Sequence, residues 1–183
     1  MRVTFYGHST FLFELAGSRL LMDPFFSDNP ACDTDPMTVE CDYMLLTHGH
    51  MDHVQDAVSI AKRTGCTVVA NYEVATWVKG QGVENVVELN HGGSARMGDI
   101  TVKCVNAVHS SVLPDGTYGG NPVGFILKSG DTEFYYAGDT ALTMDMELIG
   151  RYHDLNAAFL PIGDTYTMGV EDGAIAAEMA GAD

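Results

Sequence analysis

The stretch Thr47-His48-Gly49-His50-Met51-Asp52-His53 decides how this chain is read, because it packs four metal-binding side chains into six residues. An apolar run, Tyr43-Met44-Leu45-Leu46, precedes it, and a helix-like segment over 54–63 follows. In an extended segment residues i and i+2 point the same way, so His48 and His50 are placed to reach one ion together. Asp52 stands where a helix N-cap is expected, so the chain turns there and swings Asp52 and His53 away from the first pair, towards a second ion. A single histidine more often satisfies a hydrogen bond in a core. Three histidines and an aspartate at this spacing, on a strand-to-helix turn, match ligand chemistry instead.

Working outward, strands are expected over 2–6, 10–15 and 18–22, with Ala16-Gly17-Ser18 as a tight turn. Beyond the histidines come a helix over 52–63, a strand over 67–70, a helix around 73–79, and strands over 86–89 and 100–105. A hairpin over 123–128 and 133–136 turns at Ser129-Gly130-Asp131. A helix near 144–149, a strand over 157–160 and a helix from Val170 complete the series. Two sheets packed face to face with helices outside would use every element, and the absence of repeats or linkers points to one domain over 1–183.

The 183 residues suffice for a sizeable core, and 46% of them are hydrophobic. Apolar runs fall far short of the ~20 residues that cross a bilayer, so no membrane partner is expected. The opening Met1-Arg2-Val3-Thr4-Phe5 reads as a strand rather than a signal peptide, which predicts a cytoplasmic protein. A net charge of −16, with no cluster of Lys and Arg, disfavours nucleic acid as partner or substrate. The four cysteines form no CxxC pair, and Cys66 and Cys104 sit beside β-branched runs as buried thiols.

Two later positions are further candidate ligands: His109, at the end of the strand-like run 102–108, and Asp139, in Ala137-Gly138-Asp139-Thr140 directly after a strand. Four-coordinate ions need more donors than His48 and His50 supply. His8, between two strands, and Asp23, ending the third, form a weaker pair; Asp23 reads equally as a turn residue before Pro24 or as a hydrogen-bond acceptor orienting a ligand histidine. His91 is expected in a loop and His153 on the surface. Neither a phosphate-binding glycine loop nor a G-x-S-x-G elbow is present, leaving a metal-activated water as the nucleophile on offer.

The string His48-x-His50-x-Asp52-His53, then His109, then Gly138-Asp139-Thr140, resembles the metallo-β-lactamase superfamily in the right order along nearly the whole chain. Gly7-His8-Ser9-Thr10, Met22-Asp23-Pro24-Phe25 and Leu160-Pro161-Ile162-Gly163-Asp164 with Thr167-Met168-Gly169 resemble its L-ascorbate-6-phosphate lactonase-like branch. The resemblance implies an α/β, four-layer αβ/βα sandwich with a binuclear site. It makes His48, His50 and His109 ligands of the first metal, Asp52 and His53 ligands of the second, and Asp139 the bridge. His8 and Asp23 fall near that site, with Asp164 and Thr167 on its rim. Two divalent ions are implied, zinc first, with manganese or iron as alternatives.

The expected reaction is hydrolysis of a small ester, lactone or phosphoester by a hydroxide held between the ions, with Asp52 orienting it and His8 contacting the substrate or a developing oxyanion. The family pattern also supplies a last histidine from a loop beyond the final helix, whereas this sequence closes at Gly181-Ala182-Asp183. A domain incomplete at its C-terminus, lacking its last strand, is therefore expected. Three other readings stay open: a degenerate metal-binding scaffold or metabolite sensor, a di-iron redox protein, and a nuclease. A homo-oligomer would be unsurprising, given exposed sheet edges.

Overall fold

A computed structural model describes residues 1–182. The chain divides into two compact units, Met1–Asn90 with Ser111–Gly120, and the remainder.

The first unit is built on a six-stranded sheet in the order β1-β2-β3-β4-β5-β6. Strands β1 (Arg2–Phe5), β2 (Phe11–Leu15) and β3 (Ser18–Met22) form an antiparallel meander. From there β3, β4 (Tyr43–Leu46), β5 (Thr67–Asn71) and β6 (Val86–Leu89) run parallel. Met44, Leu45 and Leu46 are all fully buried, as are Val68, Val69 and Ala70. Strands covered on both faces lose the apolar–polar alternation, which is why these two read as continuous apolar runs.

The helix expected over 52–63 is two helices, α1 (Met51–Val54) and α2 (Ala57–Thr64). Asp56 makes the break. Its carboxylate accepts from the Phe26 amide at 2.7 Å, the Ser27 amide at 2.9 Å and the Ser27 hydroxyl at 2.6 Å, and its backbone leaves helical geometry at φ −99°, ψ 1°. The N-cap of α1 is His50, which places Asp52 inside the helix instead of capping it. α3 (Tyr72–Gly80) is capped by Asn71, whose side chain accepts from the Val74 amide at 2.8 Å. Ala57, Ile60 and Ala61 of α2 and Val74, Ala75 and Val78 of α3 share one apolar core with Leu21, Met44, Val68 and Ala70.

The second unit carries a five-stranded sheet in the order β11-β10-β9-β8-β7. Its strands are β7 (Ser94–Met97), β8 (Ile100–Asn106), β9 (Val123–Ser129), β10 (Thr132–Tyr136) and β11 (Ala157–Phe159). Sequence reading misses β7, an edge strand whose exposed polar residues lack an apolar run; the Gly98-Asp99 turn, with Gly98 at φ 58°, is the signal that marks its hairpin with β8. β11 joins β10 in parallel after α4 (Asp145–Tyr152), and α5 (Val170–Ala180) follows. His153 is no free surface histidine: its Nδ1 lies 2.7 Å from buried Glu133, which also takes a bond from Lys128 at 2.8 Å.

Helices α4 and α5 touch at Gly150, where an added Cβ would lie 2.2 Å from the Met179 carbonyl oxygen. Gly150→Ala gains about 1 kcal/mol of helix propensity but forces backbone apart, a cost at the upper end of about 1–3 kcal/mol. A net destabilisation of about 2 kcal/mol is expected in urea unfolding; an unchanged midpoint would mean the two helices part without cost.

Candidate metal centre

Topology gathers the chemistry of the first unit at one sheet edge. β3 and β4 are parallel with Met22 opposite Leu45, so the residues following them, Asp23 and Thr47-His48, emerge side by side. β2 is antiparallel to β3 with Phe11 opposite Met22, so the turn before β2, which carries His8, opens at the same edge. Both turn residues have left-handed backbones, His8 at φ 54° and Asp23 at φ 41°. Side chains enter that region at a cost of about 1–3 kcal/mol, and where they do they cluster at functional sites.

Asp23 is fully buried and organises the histidines. One carboxylate oxygen accepts from the Thr47 amide at 2.8 Å; the other accepts from the Thr47 hydroxyl at 2.7 Å and lies 3.0 Å from His53 Nδ1. With its proton given to Asp23, the Thr47 oxygen accepts from His48 Nδ1 at 3.0 Å. Both imidazoles therefore carry their protons on Nδ1 and leave Nε2 unprotonated, the tautomer a ligand histidine needs. Of the two sequence readings of Asp23, the structure selects the acceptor that orients a histidine.

His48 Nε2 faces His50 Nδ1 at 3.0 Å, so the i, i+2 pair does converge. Gly49 lies between them in a tight spot: a Cβ there would stand 3.0 Å from the Leu113 side chain, which would have to give way. Its amide donates to Ser111 Oγ at 3.1 Å, fixing the turn. The expectation that the turn swings His53 away from the first pair is corrected, since its ring lies 4.1 Å, centroid to centroid, from that of His48. α1 begins at Met51, directly after its N-cap His50.

Asp52 turns to a different neighbour. Its carboxylate lies 3.0 Å from His8 Nε2 and 4.0 Å from His53 Nε2. The His8 hydrogen bond, reinforced by the nearby His53, outweighs partial burial and holds the Asp52 carboxyl well below the usual carboxylate range. Ligand atoms of His8, Asp52 and His53 all lie within 4.8 Å of one another.

The second unit brings together the other two expected ligands. β8 and β10 both pair antiparallel with β9, so they run in the same direction and end at one edge. His109 follows β8, which stops at Asn106 rather than reaching 108, and Asp139 follows β10; their side chains approach to 3.7 Å. Gly138, at φ 62°, makes the turn into Asp139. Thr140, quoted in the sequence motif without a role, is buried and accepts from the Val108 amide at 2.9 Å, tying the two loops together. Asp164, at φ 63°, lies in a closed turn after β11: its amide donates to the Met168 carbonyl at 2.9 Å, and the Gly163 amide donates to Thr167 Oγ1 at 3.2 Å. His91 lies in a turn, its Nε2 3.0 Å from the Pro122 carbonyl. All four cysteines are free thiols, Cys41, Cys66 and Cys104 buried and Cys32 partly so. No described helix is long and apolar enough to cross a membrane.

A family model described as a beta-lactamase superfamily domain matches residues 2–180. A UPF0173 metal-dependent hydrolase of Flavobacterium johnsoniae is 48% identical over 179 residues, covering 97% of this chain and 79% of the relative. The chain belongs to the UPF0173 metal-dependent hydrolase family of the metallo-β-lactamase superfamily. A second UPF0173 relative, from Methanopyrus kandleri, is 46% identical over 182 residues, covering 98% of this chain and 79% of the relative. Among solved structures, Igni18, a metallo hydrolase from Ignicoccus hospitalis, aligns with a TM-score of 0.88 and 31% identity over 98% of this chain and 78% of its own. This chain therefore has the metallo-β-lactamase fold, as its motifs imply, with the mixed sheets and helices that fold requires.

Proposed function

We propose that the chain hydrolyses a small ester, lactone or phosphoester with two divalent metal ions, for which His48, His50, His109, Asp52, His53 and Asp139 would be the ligands. The observation that carries this reading is that Asp23 holds His53 Nδ1 directly and His48 Nδ1 through the Thr47 hydroxyl, which leaves Nε2 of both rings unprotonated. The donor chemistry fits: imidazoles and carboxylates, without thiolates, suit zinc, and also manganese or iron. When bound, divalent ions would supply an activated water, its pKa lowered towards neutrality, and would polarise the electrophilic oxygen.

The chain's own residues do the rest. Asp52, half-exposed beside His8, would orient the attacking water. His8, its side chain 38% exposed beside that carboxylate, would meet an incoming substrate. Asp23 and Thr47 keep the rings from rotating, so no reorganisation is needed during the reaction. The family match across residues 2–180 supports treating both units as one functional domain. The motifs around His8, Asp23 and Asp164 favour a lactone or phosphoester of the lactonase-like kind.

The test is elemental analysis of metal per chain together with hydrolysis of p-nitrophenyl acetate, a γ-lactone and bis(p-nitrophenyl) phosphate. Two ions per chain are expected, with hydrolysis lost on chelation and restored by zinc, manganese or iron. A chain that takes up no ion, or hydrolysis indifferent to chelator, would overturn the reading in favour of a scaffold or sensor.

A further inference from the structure

Building on the two-ion reading, we infer that His8 is itself a donor to the second ion, completing with Asp52 and His53 a three-residue metal cradle within the first unit. Donors about 2.0–2.1 Å from a tetrahedral zinc lie about 3.3–3.4 Å from one another. The two contacts to the Asp52 oxygen, 3.0 Å from His8 Nε2 and 4.0 Å from His53 Nε2, bracket that edge, and all three ligand atoms fall within 4.8 Å. An ion at their centre replaces the proton that His8 and Asp52 otherwise share. His53 is already oriented for it, because its Nδ1 is committed to Asp23.

His8 is held in place for this role. The turn that carries it is closed by Tyr6 N–H to the Thr10 carbonyl at 2.9 Å and Thr10 N–H to the Gly7 carbonyl at 3.0 Å. The Thr10 hydroxyl, in turn, donates to the Asp23 carbonyl at 2.8 Å and accepts from the Phe25 amide at 3.0 Å, so the His8 turn and the Asp23 loop are one rigid piece. The His8 ring packs edge-on against Phe25 and against His53, with centroids 5.5 and 5.2 Å away. Those contacts fix its rotamer while leaving Nε2 towards Asp52, and the left-handed backbone at His8 is the conformation that directs it there. A surface ion pair alone contributes too little to offset that strain, whereas a metal bond exceeds it.

The experiment is calorimetric titration of metal-stripped wild-type, His8→Gln and His8→Asn chains with zinc chloride, repeated with cobalt chloride to follow the visible ligand-field spectrum. Asparagine tolerates the left-handed backbone, and glutamine keeps an N–H able to hold Asp52, so folding and Asp52 placement are separately controlled. The wild-type chain should take two ions. In both variants the second should bind at least about tenfold more weakly, and the cobalt spectrum of that site should change. Wild-type-like uptake of the second ion by His8→Gln would overturn the ligand role, reducing His8 to a hydrogen-bond partner of Asp52, while the two-ion reading stood. Fewer than two ions on the wild-type chain would overturn the two-ion reading and this inference with it.

Discussion

His48→Ala is expected to abolish metal-dependent hydrolysis and to leave the chain folded. His48 is fully buried, with Nδ1 on the Thr47 hydroxyl and Nε2 facing His50. Truncation removes the donor that pairs with His50, and an ion held by the remaining side chains loses an imidazole it cannot replace. Lewis-acid activation supplies several kcal/mol of transition-state stabilisation; losing about 4–5.5 kcal/mol lowers kcat/KM by about 10³–10⁴-fold. The fold should lose far less. Thr47 keeps its bond to Asp23, so no buried donor is orphaned, and the small cavity costs about 1–3 kcal/mol. Kinetics with a chromogenic ester or phosphodiester, alongside urea unfolding, checks both halves. Activity within tenfold of wild type would remove His48 from the reaction.

Asp23→Ala should be the more damaging change to the fold. Its carboxylate receives the Thr47 amide, the Thr47 hydroxyl and His53 Nδ1 in a site closed to water. Each orphaned buried donor costs about 1–3 kcal/mol, so a loss of about 3–5 kcal/mol is expected, enough to threaten a domain of ordinary stability. Asp23→Asn separates stability from ligation. Its amide oxygen still accepts from the Thr47 amide, which preserves much of the fold. Its NH2 cannot accept the His53 proton, so the imidazole loses the partner that fixes its tautomer. Metal affinity should then fall by about 10–100-fold although the protein remains folded. Unchanged thermal stability in Asp23→Ala, or unchanged zinc affinity in Asp23→Asn, would show that the relay is not what holds the histidines.

Much of the fold is legible because its signals are local. The parallel strands β4 and β5 announce themselves as apolar runs, and the hairpin of β9 and β10 by Ser129-Gly130-Asp131. Where a signal depends on a distant partner, the reading fails. β7 is a strand only because β8 lies beside it, and the helix after the histidines breaks at Asp56 only because the Phe26–Ser27 loop claims that carboxylate from thirty positions upstream.

The site divides along the same line. Residue type and spacing by themselves mark His48, His50, Asp52 and His53 as candidate ligands on a strand-to-helix turn, because donor identity and reach are properties of a few consecutive residues. Which nitrogen each histidine offers was decided by tertiary structure. The register of parallel β3 and β4, Met22 against Leu45, sets Asp23 beside Thr47, and the antiparallel β2–β3 pairing brings the His8 turn to the same edge. No periodicity encodes a register between strands twenty residues apart; it follows from which apolar faces can be buried together, and only the folded chain settles that.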